Sequence, residues 1–239
     1  MDGNYSPFSA ASSASRMDGI LQQAAGAFEE TQSLPDRDRL TYENGFYAYC
    51  SAIFVDLRDS SKLTSQYDRP RLAKLYRVFI SEMVAALNGD PRVREVNIVG
   101  DCVWAVYNTP TIADIDAVFA AAARANSLHS LLNRKLTQYG FTPVRFGIGV
   151  DYGRALMIKA GYFGSGINDV VYMGDIVNRA AHLADKANKV YVDPVLVGAT
   201  FAGNLNESNK ALLRSESDSE LGIVYKTNAI LLDIANYDG

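Results

Sequence analysis

The chain has 239 residues, 48% of them apolar and 21% charged, with 23 Lys+Arg against 27 Asp+Glu for a formal net charge of −4. That is globular composition with enough apolar residues for a core, which excludes a disulfide miniprotein, a collagen-like repeat and a disordered chain. The acidic balance leaves no broad basic surface for a nucleic-acid backbone or an anionic membrane, so neither is expected as a partner.

The start, MDGNYSPFSA, lacks the basic and apolar stretches of a secretory signal, and no apolar run reaches spanning length. Residues 1 to about 16 are rich in Ser and Ala and read as a mobile tail. Ile20, Leu21, Ala24 and Phe28 recur at helical spacing before Pro35, which predicts a short amphipathic helix. Residues 1–46 are thus taken as a tail and short helix, and 47–239 as the main domain.

The run Ala52-Ile53-Phe54-Val55 reads as a buried central strand ending in the polar loop Asp56-Leu57-Arg58-Asp59-Ser60-Ser61. From Asp68 to Gly89, Leu72, Leu75, Tyr76, Phe79, Met83 and Leu87 repeat with helical period, with Pro70 in the first turn and Gly89 as stop. Val93 to Tyr107 reads as two strands joined by a tight Gly100-Asp101 turn. A second long helix is predicted from about Thr111 to Tyr139, closed by Gly140. Strand-like runs follow at 144–150 and 155–160, then a loop marked by Gly161, Gly164 and Gly166, and a strand at 170–173. Next come a helix from Asp175 to Lys186, strands at 190–192 and 223–225, and a last strand at 230–232. The order predicts an α+β fold, a ferredoxin-like βαββαβ sheet with helices on one face and C-terminal β additions.

The phosphate-binding loop GxxxxGK[ST], a GxGxxG turn and a GxSxG elbow are all absent. With only His129 and His182 and two cysteines, Cys50 and Cys102, zinc spacing is absent too, and the cysteines read as reduced, buried thiols of a cytoplasmic protein. What remains is a pair of carboxylates. Asp56 ends a central strand and Asp101 tips a hairpin, and if the two strands are neighbours the carboxylates converge. Two carboxylates plus substrate phosphates suit Mg²⁺, although either aspartate taken alone reads better as a loop or turn residue.

Four segments then coincide in order between about residues 47 and 195: Phe54-Val55-Asp56-Leu57-Arg58-Asp59-Ser60-Ser61; Gly100-Asp101; the run from Arg145 to Gly153; and Gly174-Asp175-Ile176-Val177-Asn178-Arg179-Ala180-Ala181-His182. Together they resemble the catalytic domain of class III nucleotide cyclases. The resemblance implies that Asp56 and Asp101 hold two metal ions, Mg²⁺ or Mn²⁺, and that Arg145 contacts the triphosphate. It also implies that Asn178 orients the ribose. The backbone amides of the loop holding Leu57, Arg58, Ser60 and Ser61 read as donors to phosphate oxygens, with the two serines helping only by being small. His182 stands where most members carry an arginine, and a histidine carries charge only when protonated.

Members of the family that read adenine use a Lys and an Asp or Thr, and guanine-specific members use other polar residues, at positions that here hold Asn97 and Val171. One amide at Asn97 suits the smaller edge of a pyrimidine, with Tyr49 or Tyr47 stacking on the ring. This pattern resembles the pyrimidine cyclases of Pycsar anti-phage systems. The implied activity is conversion of UTP, or CTP as second choice, to a cyclic monophosphate that acts on a separate effector protein. The implied assembly is a homodimer with sites at the interface. An adenylate cyclase with altered base contacts and a catalytically dead nucleotide-binding module are the alternatives.

Overall fold

In chain order, the computed structural model has helix α1 (Ala10–Leu21), strands β1 (Phe28–Thr31) and β2 (Gly45–Leu57), helices α2 (Ser60–Gln66) and α3 (Arg69–Asn88), and strands β3 (Val93–Val99) and β4 (Cys102–Asn108). Helix α4 (Ile112–Gln138), strands β5 (Phe146–Tyr162) and β6 (Ile167–Met173), helix α5 (Asp175–Lys186) and strand β7 (Val195–Gly198) follow. The chain closes with helices α6 (Ala199–Gly203) and α7 (Glu207–Lys210), strands β8 (Arg214–Asp218) and β9 (Gly222–Thr227), and helix α8 (Leu232–Ala235). The structure describes residues 2–24, 28–190 and 192–238.

The sheet runs β3-β4-β2-β5-β7-β9-β8, with β1 added to β2 and β6 added to β5. Its β5-β2-β4-β3 part is the ferredoxin-like βαββαβ unit. Alternation along β2 assigns its two faces. Ile53, Val55 and Leu57 meet Leu75, Phe79 and Met83 of α3 and Ile115 and Phe119 of α4, so both helices of the unit lie on one face as expected. Ala48, Cys50, Ala52 and Phe54 point the other way, beneath Ile176, Ala180 and Ala184 of α5.

Glycines on β5 let α5 lie close. A Cβ at Gly149 would strike the Ala180 carbonyl and the Ala184 amide, and one at Gly153 would strike Ile176. The two long helices start where their sequences say they should. The Asp68 side chain accepts from the Arg71 N–H, and Thr111 with Asp114 forms a capping box.

Several expectations are corrected. Helix α1 occupies much of the expected mobile tail, with the Ser9 side chain accepting from the Ser12 N–H, and buries no residue. Phe28 opens β1, which pairs in parallel with β2 from Phe28↔Gly45, so part of the segment before Tyr47 belongs to the sheet. The polar loop after Asp56 is short, because α2 starts at Ser60. The runs at 144–150 and 155–160 belong to one 17-residue strand, β5. Within the expected strand at 190–192, Val190 is in a turn and Val192 lies outside any element, while Tyr191 lies outside the described residues; the strand is β7, parallel to β5. Residues 230–232 lead into α8 instead of forming a strand. Strand β8, Arg-Ser-Glu-Ser-Asp, has no apolar residue to announce it.

Candidate active site

Asp56, next to last in β2, pairs with Cys102 of β4 on one side and Gly147 of β5 on the other. Asp101 immediately precedes Cys102, in a turn that Gly100 enters at φ 61°. Both carboxylates therefore stand at the same end of neighbouring central strands. Burial pushes the Asp56 carboxyl above its ordinary value; Arg58 opposes this, and the charge of Asp101 adds to it. A divalent cation held by these two carboxylates would remove that repulsion. No group of three His, Cys, Asp or Glu suited to a metal occurs among the described residues. The donor set thus fits Mg²⁺ or Mn²⁺ whose other ligands are water and substrate phosphates. Burial, with Asp56 and Asp101 adding, pushes the neighbouring Cys102 thiol up to about 12.

The loop after Asp56 is less open than its polarity suggests. The Leu57 side chain is in the core, so only its backbone is available to a ligand. The Arg58 side chain turns inward at 8% exposure and pairs with Asp56 Oδ2 at 2.9 Å. Asp59 adopts a left-handed conformation, φ 56°. Its carboxylate accepts from Lys62 Nζ at 2.6 Å and from Arg145 Nη2 at 3.0 Å, so half-exposed Arg145 faces the loop. Ser60 and Ser61 open α2; the Tyr76 hydroxyl lies beside Ser60, and its pKa is raised by burial first and by the charge of Asp101 second.

Asn178 and His182 are both exposed on α5, whose buried side is Ile176, Ala180, Leu183 and Ala184. Asp56 lies instead at the far end of that helix, where Arg58 bridges it to Ala184 and Asp185. Asn178 is about 10 Å from Asp185 along the axis at the usual helical rise. Asn178 therefore stands away from the carboxylates of its own chain, whereas His182 is within one turn of Asp185.

Asn97 pairs with Trp104, which pairs with Phe54, so it shares the face of Asp56 two residues along the strand. Val171, 38% exposed, pairs with Ile158. Tyr49 is five residues from Phe54 and hence on the opposite face, stacked on Tyr152 at 5.7 Å. The aromatic beside Asn97 is Trp104, stacked flat on Phe54 at 5.1 Å. Sequence reasoning missed Glu95, whose buried carboxylate lies beside Tyr172 and pairs through Oε1 with Arg37 at 2.9 Å. Arg37 also reaches Asp169 at 2.7 Å, tying β3 to β6. The signal available was parity, since Glu95 is two residues from Asn97 on the same strand face.

The family profile described as "Adenylate and Guanylate cyclase catalytic domain" matches residues 43–211 and spans all of these positions except Arg37. The chain belongs to this cyclase family. A protein of Gulbenkiania mobilis named uridylate cyclase is 42% identical over 200 residues, covering 80% of this chain and 76% of its own. A second uridylate cyclase, from Treponema porcinum, is 34% identical over 204 residues, covering 85% of this chain and 71% of its own. The solved adenylyl cyclase CyaB of P. aeruginosa superimposes with a TM-score of 0.64 at 18% identity, over 77% of this chain and 95% of its own. That likeness confirms the cyclase fold. Among the described residues, no helix of this cyclase is long and apolar enough to cross a membrane.

Proposed function

We propose that this cyclase is a homodimeric, cytoplasmic, divalent-metal-dependent pyrimidine nucleotide cyclase. In this reading it converts UTP, with CTP second, to the 3′,5′-cyclic monophosphate and pyrophosphate, a messenger for a separate effector in anti-phage defence. The observation that carries the reading is the 42% identity, over most of both chains, to a protein named uridylate cyclase.

Bound Mg²⁺ or Mn²⁺ supplies a lowered pKa at the ribose 3′-hydroxyl and neutralises the triphosphate. Asp56 and Asp101, at the end of the central strands, would hold the cation. Arg145 and the backbone amides after Asp56 fix the triphosphate so that the 3′-oxygen attacks the α-phosphorus in line and pyrophosphate departs. Asn178 orients the ribose. His182 donates a hydrogen bond to the charge that develops on the α-phosphate. Asn97 supplies one amide to the edge of the base; Val171, whose partner Ile158 stands opposite Gly45, shares the face of Tyr49 and does not stand beside Asn97. Tyr49, on the other face, takes no part in stacking, and Trp104 is the aromatic surface nearest Asn97.

Purified protein incubated with Mn²⁺ and each of the four NTPs, with products identified by mass spectrometry, tests the reading. UTP is expected to give the highest kcat/KM, with CTP next and ATP and GTP far behind, because a site shaped for one hydrogen-bond pattern leaves groups unpaired with another. ATP as best substrate points to an adenylate cyclase with altered base contacts, and no product from any NTP points to a non-catalytic nucleotide-binding module. Asp101→Asn is expected to abolish turnover with the fold retained. Full activity of that variant in excess Mn²⁺ rejects the metal assignment.

A further inference from the structure

The sequence places Arg58 in a phosphate loop, yet its guanidinium is buried and faces away from that loop. One edge pairs with Asp56 Oδ2 at 2.9 Å. Nη1 donates to the Asp185 carbonyl at 2.5 Å, Nη2 donates to the Ala184 carbonyl, and the Asp185 carboxylate stands 3.6 Å from Nη1. These carbonyls belong to the last turn of α5, where a helix has no internal donors left to offer; the Ala187 N–H already serves Leu183. A cation there also faces the negative end of the helix dipole. The backbone leaves room for it. A Cβ at Gly147, opposite Asp56 in the sheet, would lie 2.8 Å from Arg58 Nη2 and would also strike the Ala184 and Ala187 carbonyls.

We propose that Arg58 is a positioning residue that fastens the Asp56 carboxylate to the C-terminal end of α5, so that metal arrival at Asp56 is felt along the helix carrying Asn178 and His182. The inference rests on the reading of Asp56 as a metal ligand given above. Only a planar fork spans a carboxylate and two carbonyls at once; a lysine ammonium keeps the charge and loses the span. If Asn178 serves the partner's site, the same strut connects the metal state of one site to the catalytic helix of the other.

Two readouts separate this role from direct phosphate binding. In steady-state kinetics, Arg58→Gln and Arg58→Lys are both expected to lose kcat by about tenfold or more while KM for the nucleotide stays within about twofold. A phosphate-binding Arg58 gives the reverse, a raised KM with kcat kept, and that result overturns the proposal. The second readout is hydrogen exchange of the amides of residues 184–189 in nucleotide-free protein, with and without Mn²⁺. In wild type, Mn²⁺ is expected to change exchange there. In Arg58→Lys, which retains a cation beside Asp56 and so protects the fold, this segment exchanges faster and no longer responds to Mn²⁺. Binding is followed independently by loss of the free Mn²⁺ EPR signal. Mn²⁺ that binds wild type without altering exchange in α5, or that alters it equally in the variant, overturns the coupling and leaves the metal reading standing. Mn²⁺ that does not bind removes both.

Discussion

Asp151 of β5 is 4% exposed at its side chain, accepts from the Tyr152 N–H at 2.9 Å and pairs with Arg179 Nε at 3.1 Å. Gly198 makes room for it, because a Cβ there would strike the carboxylate. Burial pushes the Asp151 carboxyl above its ordinary value, opposed by the Tyr152 N–H and by Arg179. A raised folded pKa means the native state binds the proton more tightly than the unfolded chain. That contribution to stability is complete below the unfolded value of about 3.9 and is lost as pH rises through the folded value. The melting temperature of Asp151→Asn, relative to wild type, is therefore expected to increase as pH rises from about 4 through that window. A series of thermal melts checks it, and a relative melting temperature that falls with pH contradicts it. At this scale the sequence was legible where identity is enough. That Asp56 and Asp101 come to one end of neighbouring strands was legible from the order of the elements, although a carboxylate at a strand end or turn has common structural uses of its own. Arg58 was not, because residue type carries no information about which way a long side chain turns. Tyr49 was misassigned although the parity of β2 was readable, since five residues from Phe54 reverses the face.

Between elements, the closest packing is α5 on β5. Gly149→Ala places a methyl group where the Ala180 carbonyl and Ala184 amide now lie, and helix backbone, unlike a side-chain tip, has no rotamer to change. The helix must rise from the sheet, at a cost of about 1–3 kcal/mol in urea unfolding, and turnover should fall with it because Asn178 and His182 ride on α5. A variant with wild-type stability argues against that packing. Helices α3 and α4 were legible to within a residue or two because their caps and apolar stripes agree. Helix α1 and strand β8 were not, since neither has a buried stripe: α1 buries nothing, and β8 is an exposed edge strand.

Across the whole molecule, the βαββαβ order could be read from the chain, whereas the extension of the sheet by β7, β9 and β8 depends on pairings of short strands that leave no periodicity. The outward position of Asn178 and His182 fits a site completed by a second copy. Homodimers of Asp56→Ala and of Asn178→Ala are then each expected to be inactive. Mixed under conditions of subunit exchange, they form heterodimers with one doubly damaged and one intact site. Activity should return to about one quarter of wild type for equal random mixing. Exchange shown by tagged pull-down without any recovered activity places both residues in one site of one chain.

Strand β2 has both edges filled, by β4 from Cys50 to Asp56 and by β5 along its whole length, with Gly45 opposite Ile158. Its sequence, Gly-Phe-Tyr-Ala-Tyr-Cys-Ser-Ala-Ile-Phe-Val-Asp-Leu, holds one charge and no proline. On the ribosome it emerges about 100 residues before its longest partner, a delay of about 5–20 s at ordinary elongation rates. For that interval β2 keeps one edge unpaired, with β4 the first long strand to reach its other edge, and an unpaired apolar strand is aggregation-prone. The strand that later carries Asp56 to the site is thus one the newborn protein must keep shielded until its second edge is filled.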